Sequence, residues 1–372
     1  MNGFYWIYLV MIAFLLYHGH VKTQEQKRLV YYAACGFLIL IFVVQDFSVS
    51  IDIAEYMRQW QIIPTLSFPE MLVHKFEISY VLLCYFLERI FDSDRVLLVV
   101  LSIFIMLPFC RSFEKETENP MIALMAFLAL GMYQHAIIFW RQLVAMAILT
   151  FSYRFIRERR LVPFLLVVLA AMTFHKVSVV FISLYIVYNI PISKWLLAVC
   201  AVLSVVLGFF GEQIIEFGIA VFYTRYTTFP RLSIGGYTLL ALLWVVTLLS
   251  FWLLRNRFDD PRVRIPFLMI LIAATIQPVC FYFYNWLRIV LFFRVALVPM
   301  TVHLYMALFE QKDGNPALLY LKQHMPSLHD RVLSIYDKPW FRIAAQLVLF
   351  AVLFVWYESE RDGAVYIMAP II

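Results

Sequence analysis

The sequence predicts an all-α polytopic membrane protein, with about twelve transmembrane helices plus an interfacial or re-entrant helix on its outer face. Three observations predict it. Of 372 residues, 64% are apolar and only 15% charged, and the mean hydropathy is +0.84. A soluble chain carries about 45–50% apolar and about 25% charged residues, so this excess has no soluble core to fill and lipid is its solvent. Apolar runs bounded by charge recur along the whole chain. Basic residues gather in alternate gaps between those runs, as cytoplasmic loops do. Soluble multidomain, disordered, collagen-like and disulfide-scaffold classes are thereby excluded. The net charge of +6 is a topology signal rather than a sign of a nucleic-acid partner.

Thirteen apolar runs follow in order: 3–17, 29–44, 78–91, 96–110, 120–133, 143–153, 161–174, 177–190, 195–210, 237–254, 265–284, 289–309 and 341–357. The first lacks a basic flank and a small-x-small cleavage site, so it reads as an uncleaved span rather than a signal peptide. The clearest basic gaps hold Lys22, Lys27 and Arg28, then Arg154, Arg157, Arg159 and Arg160, then Arg255, Arg257, Arg262 and Arg264. All three face one side only if the run 78–91 does not cross. That run is short and ends in Glu88 and Arg89, so it reads as a helix in or dipping into the outer interface. Twelve crossings then place both termini outside. Nineteen of the 30 Lys and Arg fall in or beside inner loops. The chain reads as a single integral membrane domain, 1–372, with outer loops 45–95 and 211–236 and an inner loop 310–340. No repeat and no inverted pseudo-symmetry is visible.

Recognised soluble-enzyme motifs are absent: no Walker loop, no G-x-G-x-x-G, no H-E-x-x-H and no G-x-S-x-G. The five cysteines are scattered apolar filler with no metal or disulfide spacing. Asp92-Ser93-Asp94 has the form of a metal pair, but the better reading is that Asp94 caps the helix that follows. No metal and no cofactor is expected.

The chemistry is expected on the outer face, where basic residues run against the orientation rule. At membrane depth each costs at least about 2.5–3.5 kcal/mol. Arg141 follows Trp140 and precedes Gln142 at the outer mouth of a run. His175 and Lys176 form a hairpin with almost no loop, and Arg288 stands in another. Arg294 lies deeper in the next helix, and Arg225 and Arg231 lie in the loop 211–236. Several outer cations at this depth suit an anionic ligand at the interface, and arginine matches phosphate oxygens in bidentate fashion. Individual snorkelling to headgroups is the plainer alternative. His175 beside Lys176 can accept a proton near neutral pH. His135 and the inner His18 and His20 read as structural. Outer carboxylates gather in the first long loop as Asp46, Asp52, Glu55, Glu70 and Glu77. Asp52 and Tyr56 stand i, i+4 and share a helix face. Glu77 opens the interfacial helix near Tyr80, where its charge also suits the helix dipole.

In this order, Asp52-x-x-x-Tyr56, Phe76-Glu77-x-x-Tyr80, Arg141-Gln142-x-x-Ala145 with Ser152, Phe174-His175-Lys176-x-Ser178 and Arg288-Ile289 with Phe292-Phe293 resemble the EpsG-like family of Wzy-type bacterial polysaccharide polymerases. The likeness is dense over 45–190 and thin over 190–280. Ser50 and Asp46 stand where the family has Gly and an upstream Arg. The resemblance implies a metal-independent glycosyltransferase related to GT-C-like enzymes, acting at the outer face of the bacterial inner membrane. It implies a polyprenyl-diphosphate-linked oligosaccharide donor, a lipid-linked repeat as acceptor, and a chain-length regulator and flippase as partners beside the lipid bilayer. Polyprenyl diphosphate is already a good leaving group, so the enzyme mainly needs cations, for which Arg141, Arg288 and Lys176 are the candidates. The base is His175 or one of Asp52 and Glu77. Tyr56, Gln142, Tyr80, Trp140 and Arg294 are candidate substrate contacts, and Trp60, Trp140 and Trp286 offer faces to sugars. An O-antigen-ligase-like transferase, a flippase of lipid-linked glycan and a scaffold for export are the competing readings. A transporter would show repeats and midplane charges, and a scaffold would not need these residues on one face.

Overall fold

The computed structural model describes residues 5–45, 50–91, 93–222, 235–282, 286–310, 315–336 and 338–365. Asp46, Asp92, Arg225, Arg231 and the tail with Tyr366 and Pro370 lie outside the described residues. Among the described residues every regular element is a helix. Seven helices among the described residues are long and apolar enough to cross a membrane: Gln24–Val44, Arg95–Glu116, Lys194–Phe217, Gly236–Arg257, Pro261–Phe281, Leu287–Phe309 and Trp340–Glu358. Each coincides with an expected run. The other six runs form shorter or broken helices. Leu161–Met172, for example, has 12 residues, which is about 18 Å at 1.5 Å per residue against a hydrocarbon core of about 30 Å.

The chain divides into two compact units, Met1–Tyr185 and Ile186–Ile372. In the first, Gln24–Val44 packs along Arg95–Glu116. Its buried face, Tyr31, Ala34, Cys35, Leu38 and Phe42, repeats at helical spacing. Tyr31 donates to the carbonyl of Cys110 at 2.7 Å and Tyr133 to that of Leu38 at 2.6 Å. Such bonds matter where lipid offers no partner for a buried hydroxyl. Pro120–Ala129 is buried on all sides, packed against Tyr5–His20, Gln24–Val44 and Arg95–Glu116. It ends at Gly131, whose φ of 73° belongs to the left-handed region that favours glycine. The chain restarts there as Met132–Ile138, bent by 64°.

Arginines close several helix ends. Arg95 donates to the carbonyls of Val43 (3.2 Å) and Gln45 (2.6 Å), and Arg159 to that of Tyr185 (2.7 Å). These are the carbonyls a helix leaves open at its C-terminus. In the second unit Arg264 does the same for Tyr188 and Ile190, at 2.8 Å each. Two of the residues read as topology signals thus also have a structural role. One expected cap fails: Asp94 stands at the N-cap of Arg95–Glu116 with a helical φ of −66° and ψ of −23°, and its side chain makes no capping bond. A cap needs extended backbone to turn its oxygen toward the first amides.

The second unit is built on Lys194–Phe222, Gly235–Leu254 and Pro261–Ile276. Tyr282 donates to the carbonyl of Gly208 at 2.7 Å and lays its ring where Gly211 has no side chain. The region expected as an inner loop is largely helical, as Pro316–His324 and Pro326–Tyr336.

Candidate active site

The expected outer loop 45–95 holds three helices, Ile51–Ile62, Phe68–Leu72 and Ile78–Ile90. The first begins at Ser50, whose hydroxyl accepts from the amide of Ile53 at 3.2 Å. It buries Ile53, Tyr56 and Trp60 on one face and exposes Arg58. Pro64 lies just past its end, in the following short turn. At the next start Glu70 reaches back to the amide of Ser67 at 2.7 Å. Residues 73–77 then return the chain to Glu77, the N-cap of Ile78–Ile90. One position pins this segment to the rest of the unit. The amide of Ser79 donates to the carbonyl of Thr173 at 3.0 Å, and its hydroxyl to that of Thr173 at 2.7 Å. Glu77 is thereby held against the turn 173–176.

Arg141 arrives from the other side. Phe139 (φ −103°, ψ 60°) breaks the helix between Met132–Ile138 and Trp140–Leu149, so Arg141 stands in a new first turn. The indole of Trp140 donates to the carbonyl of Ile137 at 2.6 Å and fixes that break. The Arg141 guanidinium pairs with the Glu77 carboxylate, and the two side chains are 13% and 9% exposed. The other Glu77 oxygen accepts from the backbone amide of Lys176 at 3.1 Å and lies 3.6 Å from Nδ1 of His175. Glu77 therefore does not cap its own helix with its side chain. Its carboxylate is turned to a guanidinium, a helix-start amide and an imidazole. Those groups supply the stabilisation that a buried carboxylate requires.

Aromatic rings make the floor. The guanidinium carbon of Arg141 lies 4.1 Å from the centre of the Phe76 ring and 5.7 Å from that of Tyr56. At such depth a cation over a ring gains about 2 kcal/mol. Tyr56 stacks on Trp140 at 4.9 Å and 19°, and tilts against Phe76 and Tyr80 at 5.6 Å each. Tyr80 and Trp140 are completely buried and Trp60 nearly so. Both indoles are covered, and one face of Trp140 carries Tyr56. The indole of Trp286 donates to the carbonyl of Ile276 at 3.1 Å.

Outside this floor, Glu55 bonds to Arg58, Lys75 and Gln59. The Arg58 guanidinium, with Lys75 and Gln59, holds the Glu55 carboxyl at about 2. His74 bridges to the same group, accepting from the amide of Phe76 at 3.0 Å and meeting Gln59 at 2.9 Å. Burial, with the Lys75 and Arg141 cations, pushes its imidazole below the ordinary histidine value.

Of the residues expected from sequence, contacts join Glu77, Arg141, His175, Lys176, Tyr56, Tyr80 and Trp140 in the first unit. Gln142 is buried in the same first turn as Arg141, and Asp52 stands one turn before Tyr56. Arg288 and Arg294 open and close the helix Leu287–Arg294 of the second unit. Arg294 is 8% exposed and lies 5.4 Å over the ring of Trp356. Phe76, expected only as part of a motif, seats Arg141, and His74, which no motif singled out, bonds to its amide. The run His74-Lys75-Phe76-Glu77, with two polar residues and an aromatic just before the acid, was the available signal. Among the described residues no three His, Cys, Asp or Glu side chains converge as metal ligands would.

The cluster can hold one carboxylate against a guanidinium and a backbone amide in a nearly dry site, set an imidazole beside it and present the exposed Lys176 at the same turn. No curated protein and no solved structure matches the chain. A family match covers residues 29–322, taking in both this cluster and Arg288, and by that match the chain belongs to the EpsG family.

Proposed function

We propose that this protein is a polysaccharide polymerase, a glycosyltransferase that moves a polyprenyl-diphosphate-linked glycan onto a lipid-linked repeat unit. Membership of the EpsG family and the seven apolar helices support a polymerase-like membrane protein. The observation that carries the transfer step is the buried Glu77–Arg141 pair with His175 and Lys176 at one turn.

In this reading an acceptor hydroxyl attacks the anomeric carbon of the donor. A glycosidic bond forms, the bond from that carbon to the diphosphate oxygen breaks, and polyprenyl diphosphate leaves with the electron pair. His175 takes the hydroxyl proton. Glu77 is a poor base because its charge is already matched by Arg141 and the Lys176 amide. It serves instead to orient His175, as a carboxylate does beside a catalytic imidazole. Lys176 meets the leaving diphosphate, while Arg141 holds the charge of Glu77 and adds to the local positive field. Arg288, in the second unit, remains a candidate phosphate cation on its own. Asp52, Tyr56 and Gln142 contact sugar hydroxyls from the outer helix and the Arg141 turn.

The topology proposed with it keeps twelve crossings, both termini outside, the site on the outer face of the bacterial inner membrane and a GT-C-like ancestry. Pro120–Ala129 with Met132–Ile138 would then count as one broken crossing. The test is purified protein incubated with defined lipid-linked repeats in the presence of EDTA, with products sized on a gel. A ladder of chain lengths supports the polymerase. A single addition supports a ligase, movement of lipid without a new bond supports a flippase, and loss of all product with EDTA refutes the metal-free scheme.

A further inference from the structure

Four hydrogen-bonding groups run from the exposed surface to the floor of the site. Gln59 donates to Glu55 at 2.9 Å. That orients its amide, so its oxygen faces Nε2 of His74 at 2.9 Å and accepts the proton there. Nδ1 of His74 is then bare, and it accepts the backbone amide of Phe76 at 3.0 Å. The geometry thus selects one neutral tautomer. The bond from a side chain to the amide two residues on has the form of an Asx turn, with imidazole nitrogen in the place of an amide oxygen. The His74 ring also stands edge-on to Phe76 at 5.5 Å and 78°. Phe76 in turn seats the Arg141 guanidinium at 4.1 Å, and the next residue is Glu77.

We infer that His74 is a positioning residue for the Arg141–Glu77 pair, acting through the backbone and ring of Phe76. The inference rests on the polymerase reading only for its kinetic consequence. Protonating Nδ1 would set two donors against each other and release Phe76, so neutral His74 is the working form. The charged groups facing it are Lys75 on its own turn, Arg141 from the helix Trp140–Leu149 and Glu55 from the helix Ile51–Ile62. Burial and the two cations outweigh Glu55, so the site holds through neutral pH. It is lost as pH falls through a value below that of an ordinary histidine.

The test compares the full chain with His74→Ala and His74→Asn in detergent. Asparagine can still accept the Phe76 amide but does not titrate. Two readouts are taken. One is the stability coupling between Arg141 and Glu77, from Arg141→Ala and Glu77→Gln in each background. It is expected to fall below about half with His74→Ala and to recover with His74→Asn. The other is kcat against pH. His74→Ala should lower kcat at least about tenfold at neutral pH, as small misplacements of a catalytic constellation do, and His74→Asn should recover most of it. At the acid end log kcat of the wild type should fall more steeply than that of His74→Asn, because only the wild type carries the His74 titration. Unchanged coupling in His74→Ala, or equal acid slopes in an active enzyme, overturns the inference. If His74→Ala fails to fold, the acid slope of His74→Asn decides it. Changed coupling in a wild type that makes no polymer sinks the polymerase reading and leaves the positioning role standing.

Discussion

The Arg141–Glu77 pair permits a quantitative test. Removing one partner of a buried ion pair strands the other charge, at a cost of about 3–5 kcal/mol. Side-chain exposures of 13% and 9% mean that water screens neither charge appreciably. Arg141→Ala leaves the Glu77 carboxylate facing only the Lys176 amide and the His175 imidazole. Glu77→Gln leaves the guanidinium over Phe76 without its paired carboxylate. The double substitution strands neither charge and loses only packing and the cation–ring contact, about 2–3 kcal/mol. The two single costs therefore exceed the double cost, and the coupling energy should be at least about 2 kcal/mol. Denaturation in mixed micelles of the wild type and three variants measures it. Chain growth is assayed alongside, and the double variant should regain stability without regaining activity, because Arg141 is still absent. A coupling within about 0.5 kcal/mol of zero would refute the view that the two charges hold each other in this site.

Three further outcomes are expected. His175→Gln should leave folding intact and slow turnover by about 10²–10⁴, the usual contribution of a general base; an unaltered rate removes His175 from that role. Arg288→Ala should abolish long polymer while lipid-linked single repeats accumulate and the protein stays in the membrane, as read by gel sizing of extracted glycans. Gly211→Ala should destabilise the second unit by about 1–3 kcal/mol, because the added Cβ would lie 2.6 and 2.9 Å from carbons of the Tyr282 ring. Thermal unfolding in detergent checks it, and Tyr282→Ala should make the glycine replaceable.

Much of the site was legible because membrane placement restricts polar residues. Arg141, His175 and Lys176 stand out in sequence as charges and an imidazole at the edges of apolar runs, where each needs a reason. Glu77 stands out less, since an acid before a helix already has a simple role. Only the fold takes its carboxylate off the helix start and gives it to Arg141, 64 residues away. The cover over Trp140 escapes sequence for a related cause: an aromatic beside a charge looks the same in sequence whether it faces ligand or supports a neighbour. The short helices escape sequence for another reason. Runs such as 143–153 are largely apolar, but Thr150 and Ser152 bond back to carbonyls three residues earlier where the chain tightens into a 3₁₀ turn.

Composition alone determined that lipid is the solvent and that the chain is helical, because no other open structure satisfies its backbone there. The order of the motifs determined the family. Tertiary structure decided which charges neutralise one another. Pairing depends on distances of a few ångströms between residues far apart in the chain, and hydropathy carries no record of them. It left Glu77 held by Arg141 and the Lys176 amide, His175 beside the same carboxylate, and His74 behind them, bonded to the backbone of the ring on which Arg141 rests.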